Sequence, residues 1–426
     1  MMKTEKIIFN CGQILTMASG GVPLRGPSMR NIEIIRHGAI AIEKGRILDV
    51  GSSDDILSRY QTEEAIDAGG RVVSPGFVDP HTHIVYAGDR LDEFEMRISG
   101  ADYLEILGAG GGIISTVRKT RNASEEQLLM SSSKRLAKML ECGTTTIEIK
   151  TGYGLDLASE LKMLEVIAHL DKIYPPDIIP TFLAAHAVPP EYRDNREKYL
   201  DIICLEMLPA AWDWYQKSHF SSSGVPFFVD VFCEKNAFSL EESQKILETA
   251  RQIGFLLKAH TDEFNNLGAS SMAIESGAVS IDHLEEISEC EIKKLAESDT
   301  VAVITPTVNF NSGTTKFADA RKLMDAGCIV ALSTDFNPGS APCPSQPLTM
   351  AIACRYQRLL PGEAFAAATI NAAFAVKSSD RVGSLEAGKQ ADLLIFNCDD
   401  YRQIAYEFGG NLIKTVFKRG NVVLDN

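Results

Sequence analysis

Two histidines one residue apart, His81 and His83, stand in the run VDPHTH, and in an extended segment that spacing sets both imidazoles on the same side of the chain, where they can share an ion. His260, in KAHTDEF, and Asp335, in STDFNPGS, extend the set to three nitrogens and one oxygen, which suits a borderline divalent metal such as zinc, or iron. With one position left open, such an ion activates water, and zinc lowers its pKa to about 7, so the chemistry on offer is hydrolysis. The chain holds eight histidines, and five of them (His81, His83, His186, His260 and His283) close apolar, strand-like runs. The other three, His37, His169 and His219, fall in β-rich or helical stretches. Lys150, Tyr153, Glu234 and Glu263 occupy the same kind of place. A lone polar residue at a strand end is ordinarily structural, and Asp335 would also suit the turn before Asn337-Pro338-Gly339; five histidines on one rim make a site.

The elements that must position these groups are eight apolar runs: GFVD (76–79), TTTIEIK (144–150), IIPTFLAA (178–185), FFVDVF (227–232), FLLKA (255–259), AVSID (278–282), VAVIT (301–305) and CIVALST (328–334). Amphipathic helical patterns separate them, for example SELKMLEVIAHLDK, LEESQKILETARQIG and FADARKLMDAG, the last two closing on a glycine. A final helical stretch, EAFAAATINAAFAV, completes an alternation that predicts a TIM (β/α)8 barrel. An open doubly wound sheet would place a glycine-rich phosphate turn after its first strand, and none is there. Catalytic groups of a TIM barrel gather at the C-terminal strand ends, which is where the histidines fall. Both chain ends read differently, as short β-runs and turns such as GAIAIEKGRILDVG and IKTVFKRGNVVL. The expected organisation is a small β-sandwich domain built from 1–71 and 377–426 around a barrel at 72–376. Three loops are long: 83–133 with the GAGGG turn at 108–112, 187–226 with Trp212 and Trp214, and a polar connection at 306–317. Rim loops of that length usually shape the pocket.

Composition narrows the class. With 426 residues the chain exceeds the about 250–300 residues of a single core, in line with a barrel and a companion. Apolar residues make up 45% and charged ones 23%, a globular balance. Net charge is −15, and no stretch gathers basic residues into a stripe, so nucleic acid is not an expected partner. The N-terminus carries neither a secretory pattern nor a membrane span, which places the protein in the cytoplasm. Nine cysteines without a CxxC pair read as reduced, structural thiols.

The motifs add a resemblance. VDPHTH (78–83) together with GSLEAGKQADLLIF (383–396) resembles the amidohydrolase superfamily over essentially the whole chain. Within it, HTHIVYAGDR, GGGI, EIKTGYGL, AAHAVPPEY, KAHTDEF, DHLE and STDFNPGS are similar to the imidazolonepropionase family. The resemblance implies hydrolysis of the cyclic amide of 4-imidazolone-5-propanoate to N-formimino-L-glutamate, a step of histidine degradation, with one zinc or iron ion per subunit. It carries metal ligation onto His81, His83, His260 and Asp335. Substrate binding falls on Arg90, Tyr153, His186, Glu263, Asn337, Gly339 and Ser340.

The residue types fit such roles. Arg90 can clamp a propanoate carboxylate in a bidentate pair, though a solvated loop arginine would read alike. Tyr153 can add a phenolic hydrogen bond, His186 can donate to the ring carbonyl as charge develops, and backbone groups at 337–340 can line the ligand's rim. In the expected chemistry Asp335 takes a proton from the attacking water, His283 orients Asp335, and Glu263 holds the ring nitrogen and protonates the departing amine. Lys150 is open to two readings, because in binuclear relatives a strand lysine is carboxylated to bridge two ions, whereas the resemblance here favours one ion. The family pattern is left at TPTVNFNSG (305–313), which stands for a more apolar Leu-Pro-Gly segment. A related amidohydrolase or aminohydrolase acting on another carboxylate-bearing heterocycle is the alternative, and a homodimer is the expected assembly.

Overall fold

Strands buried on both faces favour β-branched sequence along their length, and TTTIEIK, β-branched at five of its seven positions, is buried throughout. In the computed structural model, which describes residues 1–101, 105 and 110–426, it is the second of eight parallel strands. The strands are β1 (Phe77–Asp79), β2 (Thr144–Lys150), β3 (Asp177–Ala185), β4 (Phe228–Cys233), β5 (Leu256–Thr261), β6 (Ser280–His283), β7 (Val301–Ile304) and β8 (Ile329–Leu332). Each pairs in parallel with the next. Between β8 and β1 the barrel is closed by a Thr82–Phe336 bridge and by the Ser333 and Thr334 hydroxyls, which donate to Asp79 at 2.5 and 2.6 Å. The expected barrel is therefore present. His260 and His283 lie within β5 and β6 rather than beyond them. Gly108 and Ala109 of the expected turn lie outside the described residues.

The crossover helices form where periodicity and caps agree. Leu240–Ile253 starts from a Ser239–Glu242 capping box and stops at Gly254, whose φ of 126° and close approach to Trp212 admit no side chain. Three expectations are corrected. The connection after β7 opens as a helix, Pro306–Ser312, because proline suits the first helical turn. EAFAAATINAAFAV is two helices, Pro361–Ala368 and Ile370–Ala375, broken at Thr369. The tryptophans of the 187–226 segment pack away from the rim: Trp212 lies 4.9 Å from Phe255 and Trp214 5.8 Å from Phe227, residues that precede β5 and β4.

The chain ends meet in one further eight-stranded sheet, in which Val72–Pro75 runs between Lys6–Leu15 and Leu393–Phe396. Val72–Pro75, read from sequence as the start of the barrel segment, thus belongs to the terminal sheet. Ile8, Ile14, Ile40, Val73, Leu393 and Phe417 are part of its core. The sheet meets the N-terminal ends of β2 and β3, where Lys418 Nζ reaches the Thr145 carbonyl at 3.1 Å, Asp177 at 2.9 Å and Asp392 at 2.6 Å. All nine cysteines are unpaired. Among the described residues no helix is long and apolar enough to cross a membrane.

Candidate active site

Thr82, between the two histidines, turns its hydroxyl the other way, onto the Glu148 carbonyl at 2.6 Å, so His81 and His83 face one side as the period of two requires. Their Nε2 atoms lie 3.1 Å apart, and Asp335 Oδ1 is 3.6 Å from the first and 3.5 Å from the second. Nitrogen atoms of His81, His83 and His260 lie within 4.8 Å of one another. His260 Nε2 and Asp335 Oδ1 are buried with no hydrogen-bond partner. Donors about 2.0–2.1 Å from a tetrahedral ion stand roughly 3.3–3.4 Å from each other, and the three separations bracket that value. Burial first, then Lys150 for His81 and His186 for His83, hold both imidazoles well below their ordinary pKa, in the neutral form that ligates. Residues and geometry therefore fit a metal ion.

Two of the expected site residues hold left-handed backbone. Asp335 sits at φ 46° and His283 at φ 85°. The Asp335 N–H donates to Ser333 Oγ at 3.2 Å, and its carbonyl accepts from Asn337 Nδ2 at 2.8 Å. His283 meets Thr305 Oγ1 through Nδ1 at 3.1 Å and leaves Nε2 buried and unpartnered, in a group with His81 and Asp335 that spans no more than 4.8 Å.

Outward from this cluster, His186 stacks on His83 with ring centroids 5.0 Å apart, and Tyr153 lies 5.4 Å from His186. His186 Nδ1 is 3.0 Å from the Gly152 carbonyl, which can only accept, so the proton is on Nδ1. Burial takes its pKa down to about 3, which leaves Nε2 a neutral acceptor. Arg90 Nε is buried without a hydrogen-bond partner, 3.5 Å from Glu93, and an ideal Cβ on Gly339 would fall 1.8 Å from Arg90 Nη1. Only glycine leaves room for the guanidinium. Asn337 is occupied within its own loop: Oδ1 accepts the amides of Gly339 and Ser340, both at 2.8 Å, and Nδ2 donates to Ser340 Oγ at 2.8 Å. What the loop can offer a ligand is carbonyl oxygens and the Ser340 hydroxyl proton. Burial, then Glu285, Asp335 and Glu234, raises the Glu263 carboxyl well above its ordinary pKa, which favours the protonated form.

The Amidohydrolase family profile matches residues 233–423. Curated relatives match end to end: the imidazolonepropionase of Chloroflexus aggregans is 50% identical over 426 residues, covering 100% of both chains. That of Herpetosiphon aurantiacus is 48% identical, covering 100% of this chain and 99% of its own. The chain belongs to the imidazolonepropionase family. It is accordingly a metal-dependent hydrolase. Solved structures share its fold at low identity. An adenosine deaminase from Xanthomonas campestris with bound zinc has a TM-score of 0.74 at 18% identity, covering 100% of this chain and 94% of its own. Escherichia coli guanine deaminase has 0.71 at 16%, covering 99% of both.

Sequence reasoning missed the residues that hold this imidazolonepropionase-family site from inside. Asp282 Oδ2 is 2.5 Å from His81 Nδ1, and Asp230 Oδ1 is 3.1 Å from His260 Nδ1. Both carboxylates, like Lys258, stand within apolar runs, and that misplaced polarity was the available signal. Glu234 was seen, but not its work: it accepts the amides of Phe264 and Asn265 at 3.0 and 3.1 Å and so fixes the loop that carries Glu263. Glu285, unnoticed, is pushed up to about 8, chiefly by burial.

Proposed function

We propose that this protein hydrolyses 4-imidazolone-5-propanoate to N-formimino-L-glutamate with one zinc or iron ion per subunit held by His81, His83, His260 and Asp335. The observation that carries the reading is the convergence of these four buried groups, three of them with an unpartnered atom, beside an arginine packed against Gly339. When bound, the ion polarises the lactam carbonyl and acidifies the attacking water.

The chain's own residues do the rest. Arg90 pairs with the propanoate carboxylate, and Tyr153 adds a hydrogen bond; His186 Nε2 accepts a ring N–H. Asn337 keeps Gly339 and Ser340 in place, and the Ser340 hydroxyl donates to the ligand. As water attacks, its proton passes to Asp335, which His283 orients. The carbonyl carbon gains a C–O bond and loses its C–N bond, and Glu263 protonates the leaving nitrogen. Neutral Glu263 is supported by its buried, acid-flanked setting. We assign the domain limits to Gly76 and Val376, because Val72–Pro75 pairs inside the terminal sheet. The reading extends to a cytoplasmic homodimer, the commonest arrangement for metabolic enzymes of this kind.

The test is purified protein with fresh imidazolone propanoate, following loss of substrate absorbance and release of ammonia, alongside metal analysis. Ring opening without ammonia, lost with the metal and regained on its return, is expected. Ammonia release from other heterocycles with no turnover of this substrate would contradict the reading.

A further inference from the structure

Beneath the proposed ligands lies a layer of buried charge that the reaction does not use. Asp282 holds His81 and Asp230 holds His260, each through Nδ1. One ammonium joins the two carboxylates: Lys150 Nζ is 2.7 Å from Asp230 Oδ2 and 3.8 Å from Asp282 Oδ2, and it donates to Glu148 Oε1 at 2.7 Å. The other Glu148 oxygen accepts the amide of Thr82, between His81 and His83, at 3.2 Å. All four side chains are fully buried. A second buried lysine, Lys258, donates to the Pro80 carbonyl at 2.8 Å and stands 4.0 Å from Glu148 Oε1, so it adds positive charge to the layer without a hydrogen bond to either aspartate. Burial alone would lower the Lys150 pKa, but Asp230, Glu148 and Asp282 outweigh it and raise it, so the ammonium stays charged. A carbamate on this nitrogen would set an anion against two carboxylates at hydrogen-bond distance. The bridging-lysine reading left open by the sequence therefore has no place here.

We propose that Lys150 is a positioning residue of the metal site, bracing Asp230 and Asp282 in the orientation in which they hold His260 and His81. Without it the carboxylates repel each other and turn, and two ligand imidazoles lose the acceptor that fixes ring angle and tautomer. The inference rests on the ligand assignment proposed above.

The test uses Lys150→Met and the charge-balanced double variant Lys150→Met/Glu148→Gln, which removes one buried charge of each sign and carries the test should the single variant not fold. Protein stripped by chelation is titrated with zinc against a chromophoric competitor, and the thermal unfolding of the stripped protein is recorded. Zinc affinity is expected to fall about 10–100-fold. The stripped double variant should melt close to the parent, and excess zinc should restore kcat with KM unchanged. Native zinc affinity in the folded double variant, with lower stability of its stripped form, would make Lys150 merely structural and overturn the proposal. His260→Ala separates the two levels. If it keeps native zinc affinity, the ligand assignment fails; if it loses zinc while the Lys150 variants keep it, only the brace fails.

Discussion

Gly339 offers no side chain, yet it decides how closely Arg90 can approach the pocket. A methyl group there would fall 1.8 Å from Arg90 Nη1, so Gly339→Ala should displace the guanidinium. A charge-assisted hydrogen bond contributes about 1.5–3 kcal/mol, equivalent to roughly 10–100-fold, and steady-state kinetics should show it mainly in KM for imidazolone propanoate. An unchanged KM would remove Arg90 from substrate binding. Glu263→Gln should instead lower kcat by about a hundredfold or more with full metal content; loss of metal in that variant would place Glu263 among the ligands. Residues of this kind were legible where a spacing or a strand end marked them, as for His81, His83, His260 and Asp335. Asp230 and Asp282 were not, because FFVDVF and AVSID read as core until closure of the barrel shows which side faces inward. Asn337 was legible as a loop residue, but whether its amide serves the ligand or its own turn depends on backbone angles that sequence does not display.

Among the elements, the strands were readable to within two residues at each end, since parallel barrel strands favour largely apolar, β-branched runs. Helices around the rim were less so. Propensity runs unbroken through the alanine-rich stretch 363–376, but tertiary packing breaks it at Thr369, whose hydroxyl donates to the Phe365 carbonyl at 2.6 Å. The turn after β2 illustrates how an element sets a site. Gly152, at φ 106°, accepts from His186, and a Cβ there would lie 2.9 Å from His186 Nδ1 and 3.0 Å from the Leu183 carbonyl. Gly152→Ala should cost about 1–3 kcal/mol in urea unfolding and lower kcat/KM by moving His186. Wild-type stability and kinetics would show that the turn has slack that the geometry denies.

At the scale of the whole molecule, stability and chemistry occupy opposite ends of the barrel, as the architecture favours. The terminal sheet is joined to the N-terminal end through Lys418, whose side chain is 4% exposed, against 3% for Asp392 and 16% for Asp177. Lys418→Met would leave the buried Asp392 without its cation, while Asp177 keeps Arg419 at 2.6 Å, and losing one partner of a buried pair costs about 3–5 kcal/mol. The urea midpoint should fall while KM stays at its wild-type value. The opposite end carries the central claim, a single ion shared by side chains from the segment after β1, from β5 and from the loop after β8. Anomalous diffraction at the zinc or iron edge from crystals of the purified enzyme tests it most directly. One peak is expected, about 2.0–2.3 Å from nitrogens of His81, His83 and His260 and a carboxylate oxygen of Asp335. A second peak beside Lys150, or a single peak held by other residues, would contradict the account.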